Sequence, residues 1–76
     1  MSAKEIDIAD MQCWVFRLAQ LRWKISAKEC LDIFVENKFF SFIAECYELL
    51  HVSSYDAVVS EFEDILKGKN INYGTA

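Results

Sequence analysis

Apolar positions recur along this chain at helical spacing, and four helices follow from them. Over about residues 6–24, Ile8, Met11, Trp14, Val15, Leu18 and Leu21 keep the i, i+3, i+4, i+7 spacing of a core-facing stripe. Asp7 and Asp10 suit the positive end of such a helix, and Arg22 and Lys24 suit its negative end. Ser2 and Glu5 offer a capping box that would move the start back to Ala3. A second line, Cys13, Phe16, Gln20 and Trp23, runs along the same segment, leaving only Asp10, Arg17 and Lys24 as a clearly polar strip. A helix apolar around most of its circumference is enclosed on several sides.

The second helix has the sharpest start. Ser26-Ala27-Lys28-Glu29 reads as a capping box: the serine oxygen accepts from the amide three residues on, and the glutamate reaches back to the Ser26 amide. Ile25 is placed to staple onto Cys30. Ala27, Cys30, Leu31 and Phe34 are expected inward, with Ile33 and Val35 beside them. Glu29, Asp32 and Glu36 form the wet face, and Asn37 is the expected αL stop. Phe39, Phe40 and Phe42 cannot all share one helical face. They predict a tight connection with at least one ring plugging the core.

A third helix over about residues 41–50 would turn Ile43, Tyr47 and Leu50 inward and Glu45 and Glu48 outward. Ser53 with Asp56 reads as the next cap. A fourth helix over 55–67 then carries Tyr55, Val58, Val59, Phe62, Ile65 and Leu66 on one side, with Gly68 as its C′ residue. The expectation is an all-α single domain, residues 1–67, with four short helices in bundle-like or orthogonal packing and a frayed tail over 68–76.

Composition sharpens this picture. Among 76 residues there are two glycines and no proline, so little interrupts the helices. Hydrophobic residues make up 54%, more than one small core is expected to enclose. The surplus points to a protein partner or a homo-oligomer; a dense monomeric core is the other reading. No apolar run is long enough for a membrane span. Acidic residues stand where a signal peptide would need its apolar segment, so a cytoplasmic location is expected.

The net charge of −4 disfavours nucleic acid as a partner. The one basic cluster is Arg17, Arg22, Lys24 and Lys28, and four bases around one helix end read first as a solvated face or a dipole match. A helix-turn-helix regulator or antitoxin is the alternative function. Its second helix would have to bring Glu29, Asp32 and Glu36 toward phosphate.

Chemistry-bearing groupings are sparse. Cys13, Cys30 and Cys46 form no C-x-x-C pair, are odd in number and have a single histidine, His51, to join them. A zinc site or disulfide framework is therefore not expected, and all three, each among apolar residues, read as structural thiols. Two glycines cannot make a phosphate-binding loop. Cys46 and His51 stand five apart, off the i, i+4 spacing of a nucleophile–base pair, and His51 reads as a helix-end residue. Glu61, Glu63 and Asp64 read as a solvated face. The chain is expected to bind rather than catalyse, with no cofactor, metal or small-molecule ligand.

From Tyr47-Glu48-Leu49-Leu50-His51 onward the chain resembles the small bacterial helical proteins of domain of unknown function family 3791. That family's plan is an N-terminal helix, an Ile-Ser-x-x-Glu helix start, an aromatic connector, a Tyr-x-x-Leu-His helix end and a closing helix. Ile25, Ser26 and Glu29 match the second element, and Tyr47, Leu50 and His51 match the fourth. Val59, Asp64 and Ile65 lie in a segment like the closing helix, and Val52 stands where the plan has threonine. The resemblance covers about residues 10–67. It implies a helical protein with no established activity, encoded near other small proteins, some resembling ADP-ribosyltransferases, and hence a partner-binding or antitoxin-like role.

The leading expectation is a helical protein–protein interaction module. Its candidate interface is Phe16, Gln20, Trp23, Phe39 and Phe40, with the Met11–Trp14–Val15–Leu18 stripe holding the core. In the competing reading, the Phe39–Phe42 segment folds over the Phe16–Trp23 ridge and encloses it.

Overall fold

The computed structural model describes residues 3–71 and 73. Five helices follow one another: α1 (Ala3–Trp23), α2 (Ala27–Glu36), α3 (Phe39–Glu45), α4 (Tyr47–Leu50) and α5 (Tyr55–Gly68). The described residues contain no strand, and the all-α expectation holds. α1 is the spine: α2, α3 and α5 all pack against it, and α2 packs against α3.

The buried stripe of α1 is Met11, Val15, Ala19 and Trp23. This corrects the expected stripe, because Trp14 and Leu21 are 59% and 66% exposed. Steps of four residues advance 400°, so the stripe drifts about 40° per step around the helix. It begins on the expected side at Met11 and ends at Trp23, almost opposite Trp14. Such i±4 rows are the ridges used by helices that cross rather than run side by side. Ala19, whose methyl group adds little to an apolar count, lies at the middle of the buried line.

Phe34 is the hub of the core. Its ring centroid lies 5.1–5.6 Å from those of Phe16, Phe39, Phe40 and Phe62, and 6.1 Å from that of Trp23. Phe39 and Phe62 stack face to face at 3.9 Å. The three phenylalanines therefore start α3 rather than form a connector: Phe39 is buried and Phe40 and Phe42 are half-buried. The Gln12 amide donates to the Phe40 carbonyl at 2.8 Å, tying α1 to α3. On α2, Cys30 and Phe34 are buried, whereas Ala27 and Leu31, expected inward, are exposed.

The expected third helix is broken at Cys46 (φ −103°, ψ 14°) into α3 and α4. The Cys46 carbonyl accepts from both Leu49 and Leu50, which restarts the helix in a new direction. Lys4 of α1 pairs with Glu48 of α4 at 2.6 Å. The partnership raises the Lys4 pKa and lowers that of Glu48 from their usual values, first through the hydrogen bond and then through charge.

Helix ends follow local chemistry closely. Ser26 accepts from the Glu29 amide at 3.1 Å, as expected; its hydroxyl also donates to the Glu29 carboxylate at 3.0 Å, replacing the expected reach to the Ser26 amide. The cap of α5 is Ser54, not Ser53, accepting from Ala57 at 3.2 Å. With glycine scarce, the left-handed stops fall to Lys24 (φ 56°), Lys38 (φ 57°) and Asn70 (φ 58°). They take the place of the expected Asn37 and Gly68. Asn37 instead donates from its side chain to the Ile33 carbonyl at 2.8 Å. At the end of α5, Ile71 donates to Leu66 and Asn70 to Lys67, a complete Schellman motif. The expected tail is thus partly structured: Ile71 and Tyr73 pack against the core, with Tyr73 5.3 Å from the Trp23 ring. The Ser2 capping box and residues 72 and 74–76 lie outside the described residues.

Candidate functional site

Because the core stripe of α1 spirals to Trp23, a different face of the helix is left outward. At 100° per residue, Ile6, Asp10, Cys13, Trp14, Arg17 and Leu21 fall within about 60° of one line, and all six are exposed. Two open grooves flank this ridge. One, of about 670 Å³, lies between α1, α2 and α3 and is walled by Cys13, Trp14, Phe16, Gln20, Leu31 and Phe40. The other, of about 390 Å³, lies toward α5 and is walled by Trp14, Leu18, Leu21, Tyr55 and Asp56. Trp14 and Arg17 border both.

The expected interface residues divide on this geometry. Phe16, Gln20 and Phe40 line the larger groove. Trp23 and Phe39 are completely enclosed by their own chain, which corrects the exposed-ridge expectation for both. The competing reading holds for one end of the ridge, where Phe40 stacks on Phe16. Trp23 is instead enclosed by other segments: Phe34 and Tyr73 lie against its ring, and Glu63 of α5 accepts its indole N–H at 2.9 Å. Trp14, Leu21, Leu31 and Tyr55 are exposed groove residues that the stripe pattern had placed on apolar faces.

The basic cluster is not brought together. Arg22 reaches across to α5, donating to the Asp56 carbonyl at 3.3 Å, Ser60 at 3.0 Å and the Glu63 carboxylate at 3.1 Å. Lys28 faces Asp32 at 3.8 Å, and Lys24 is exposed at the αL turn. Arg17 alone stands in the apolar ridge. Glu63, expected on a solvated face, has a side chain only 12% exposed because Trp23 and Arg22 claim both its oxygens.

A third, polar cleft of about 240 Å³ gathers Asp7, Asp10, Met11, Tyr47, His51 and Tyr55. His51 stacks on Tyr47 at 5.2 Å, one helical turn away, and its Nε2 lies 4.0 Å from Glu48. Its side chain thus packs on the helix rather than capping it. Burial, then the nearby Asp7, Glu48 and Tyr55, raise the Tyr47 pKa from its usual value. Among the described residues no three His, Cys, Asp or Glu side chains converge as metal ligands. The cysteines are free; Cys30 is buried, Cys46 half-buried and Cys13 exposed. Among the described residues no helix is long and apolar enough to cross a membrane.

Residues 10–69 match the model of a family described as "Protein of unknown function (DUF3791)". The chain belongs to this family. The matched span runs from the middle of α1 to the residue that caps α5. Within the matched span, Ser26 and Glu29 cap α2, and Tyr47 and His51 stack on the short α4 turn. No match is found among curated proteins or among solved structures.

Proposed function

We propose that this family member is a protein-binding module of the cytoplasm that engages its partner through the outer face of α1. The observation carrying this reading is the exposure of Trp14 and Leu21 on a helix whose core stripe is already complete. A large aromatic side chain standing between two apolar grooves has the character of an interface anchor. Three cysteines held as thiols suit a reducing compartment. Binding rather than catalysis is favoured because the described clefts bring together no nucleophile with an activating base. The DNA-regulator alternative has less support: α2 exposes Glu29, Asp32 and Glu36, and Arg22 is already neutralised by Glu63.

Size-exclusion chromatography with light scattering tests the reading, on the chain alone and mixed with the product of the adjacent gene. The expected result is a complex lost in Trp14→Glu while circular dichroism stays helical. A chain that is monomeric and binds nothing overturns it.

A further inference from the structure

Two charges interrupt the apolar line of α1. Asp10 and Arg17 are both exposed, and neither makes an ion pair among the described residues. They lie seven residues, about 10.5 Å, apart along one helix, too far to satisfy each other. From this spacing we infer that the occupant of the α1 face is a second copy of the chain, docked antiparallel about a two-fold axis. The inference rests on the reading of α1 as a binding surface and names the partner.

The argument is one of register. Setting Asp10 of one copy opposite Arg17 of the other satisfies both charges twice, because a two-fold interface repeats every contact. The same register brings Ile6 opposite Leu21, again twice, and both are exposed apolar side chains. The axis then passes between Cys13 and Trp14. The two Trp14 rings fall together on one edge of the seam and the two Cys13 thiols on the other. A parallel pairing would instead set Asp10 against Asp10 and Arg17 against Arg17. Sliding the antiparallel pair by one heptad, so that Asp10 faces Lys24, sets Arg17 against Arg17. Only the first register is charge-complementary and apolar-matched at once. Exposed ion pairs add little affinity, so here they select orientation, while Trp14, Ile6 and Leu21 supply the buried area.

The geometry makes a covalent check possible. For helix axes 8–10 Å apart, the Cα atoms of the two Cys13 residues come within about 5–7 Å. That separation falls largely within the disulfide range. Copper–phenanthroline with dissolved oxygen would take two electrons and two protons from the two thiols and leave a disulfide.

The experiment is light scattering through a micromolar dilution series, beside oxidative crosslinking read on a non-reducing gel. The native chain is expected at twice its 8.8 kDa mass. Asp10→Arg and Arg17→Asp each create like-charge pairs at the seam and should raise the dissociation constant on the order of 100-fold. The double reversal, Asp10→Arg with Arg17→Asp, should restore the dimer. Crosslinking should vanish in Cys13→Ser, fall in Arg17→Asp and persist in Cys46→Ser. All these positions are solvent-facing or half-buried, and circular dichroism checks that each variant is folded. A native mass of 8.8 kDa throughout, or a dimer indifferent to both reversals, overturns the second-copy inference. A monomer that still binds the adjacent gene's product through Trp14 leaves the broader binding reading intact, whereas a monomer that binds nothing removes both.

Discussion

The Trp23–Glu63 hydrogen bond is where a single polar contact should matter most. Trp23 is fully buried, and its indole N–H donates to Glu63 Oε2 at 2.9 Å. Glu63→Ala would leave that donor enclosed with no other acceptor among the described residues. An unsatisfied buried donor costs about 1–3 kcal/mol. Arg22 also loses a partner, but it keeps Ser60 and the Asp56 carbonyl and is partly solvated, so its contribution is small. The expected loss is about 2 kcal/mol, a fall in melting temperature of roughly 8–16 °C for a domain of this size. The assay is thermal unfolding followed by circular dichroism, run as a double-mutant cycle with Trp23→Phe. Phenylalanine removes the donor, so the carboxylate should matter less in that background, with a coupling of about 1–2 kcal/mol. Additivity within about 0.5 kcal/mol would refute the reasoning, since it would mean that the two side chains stabilise the fold independently.

Capping gives a positional control: Ser26→Ala and Ser54→Ala should each cost ~1 kcal/mol in thermal or urea unfolding, while Ser53→Ala should change stability by less than about 0.5 kcal/mol. The helix stops predict two gains. Gly68→Ala places a methyl in open space on a helix and should add about 0.5–1 kcal/mol. Lys38→Gly relieves a left-handed lysine and should add about 0.5 kcal/mol net of glycine's entropy. Burial pushes the Cys30 thiol from its usual 9.0 up to about 12. The folded state therefore holds this proton more tightly than the unfolded chain. Its contribution is whole below pH 9 and declines as pH rises toward 12, by about 1.4 kcal/mol per pH unit. Urea melts across that range should be steeper in pH for the native chain than for Cys30→Ala. At neutral pH a thiol reagent should modify Cys13 and spare Cys30 until the chain is unfolded.

Local chemistry was the legible part of the fold. The Ser26 cap, the Val58–Leu66 apolar pattern of α5 and the all-α class follow from residues within a turn or two of one another, and the structure keeps them, whereas Tyr55 is exposed. Errors gathered where a long-range contact decides. The continuous helix expected over 41–50 breaks at Cys46, with neither proline nor glycine to announce it. Glu63 reads as solvated until Trp23, forty residues earlier in the chain, supplies a donor. Lys24 and Lys38 take left-handed stops that favour glycine because the chain has almost none to offer there.

The candidate face was misread for a related reason. Counting large apolar residues at i, i+3, i+4 finds the face of α1 with the most hydrophobic area, which passes through Trp14 and Leu21. A core seeks the face on which neighbours fit. Here that is the i+4 line through Ala19, whose side chain contributes almost nothing to an apolar count. Once Ala19 is taken as part of the packing face, Trp23 follows one turn on, and Trp14 is pushed outward with Leu21. The surplus of apolar residues did point to an outward-facing apolar surface, but its bulk alone assigned that surface to the wrong side of the helix. What marks the outer line is its charge pattern. Asp10 and Arg17 stand on it one heptad apart, unpaired within the described residues and of opposite sign. That pattern makes sense of an apolar ridge best when a partner reads it in reverse.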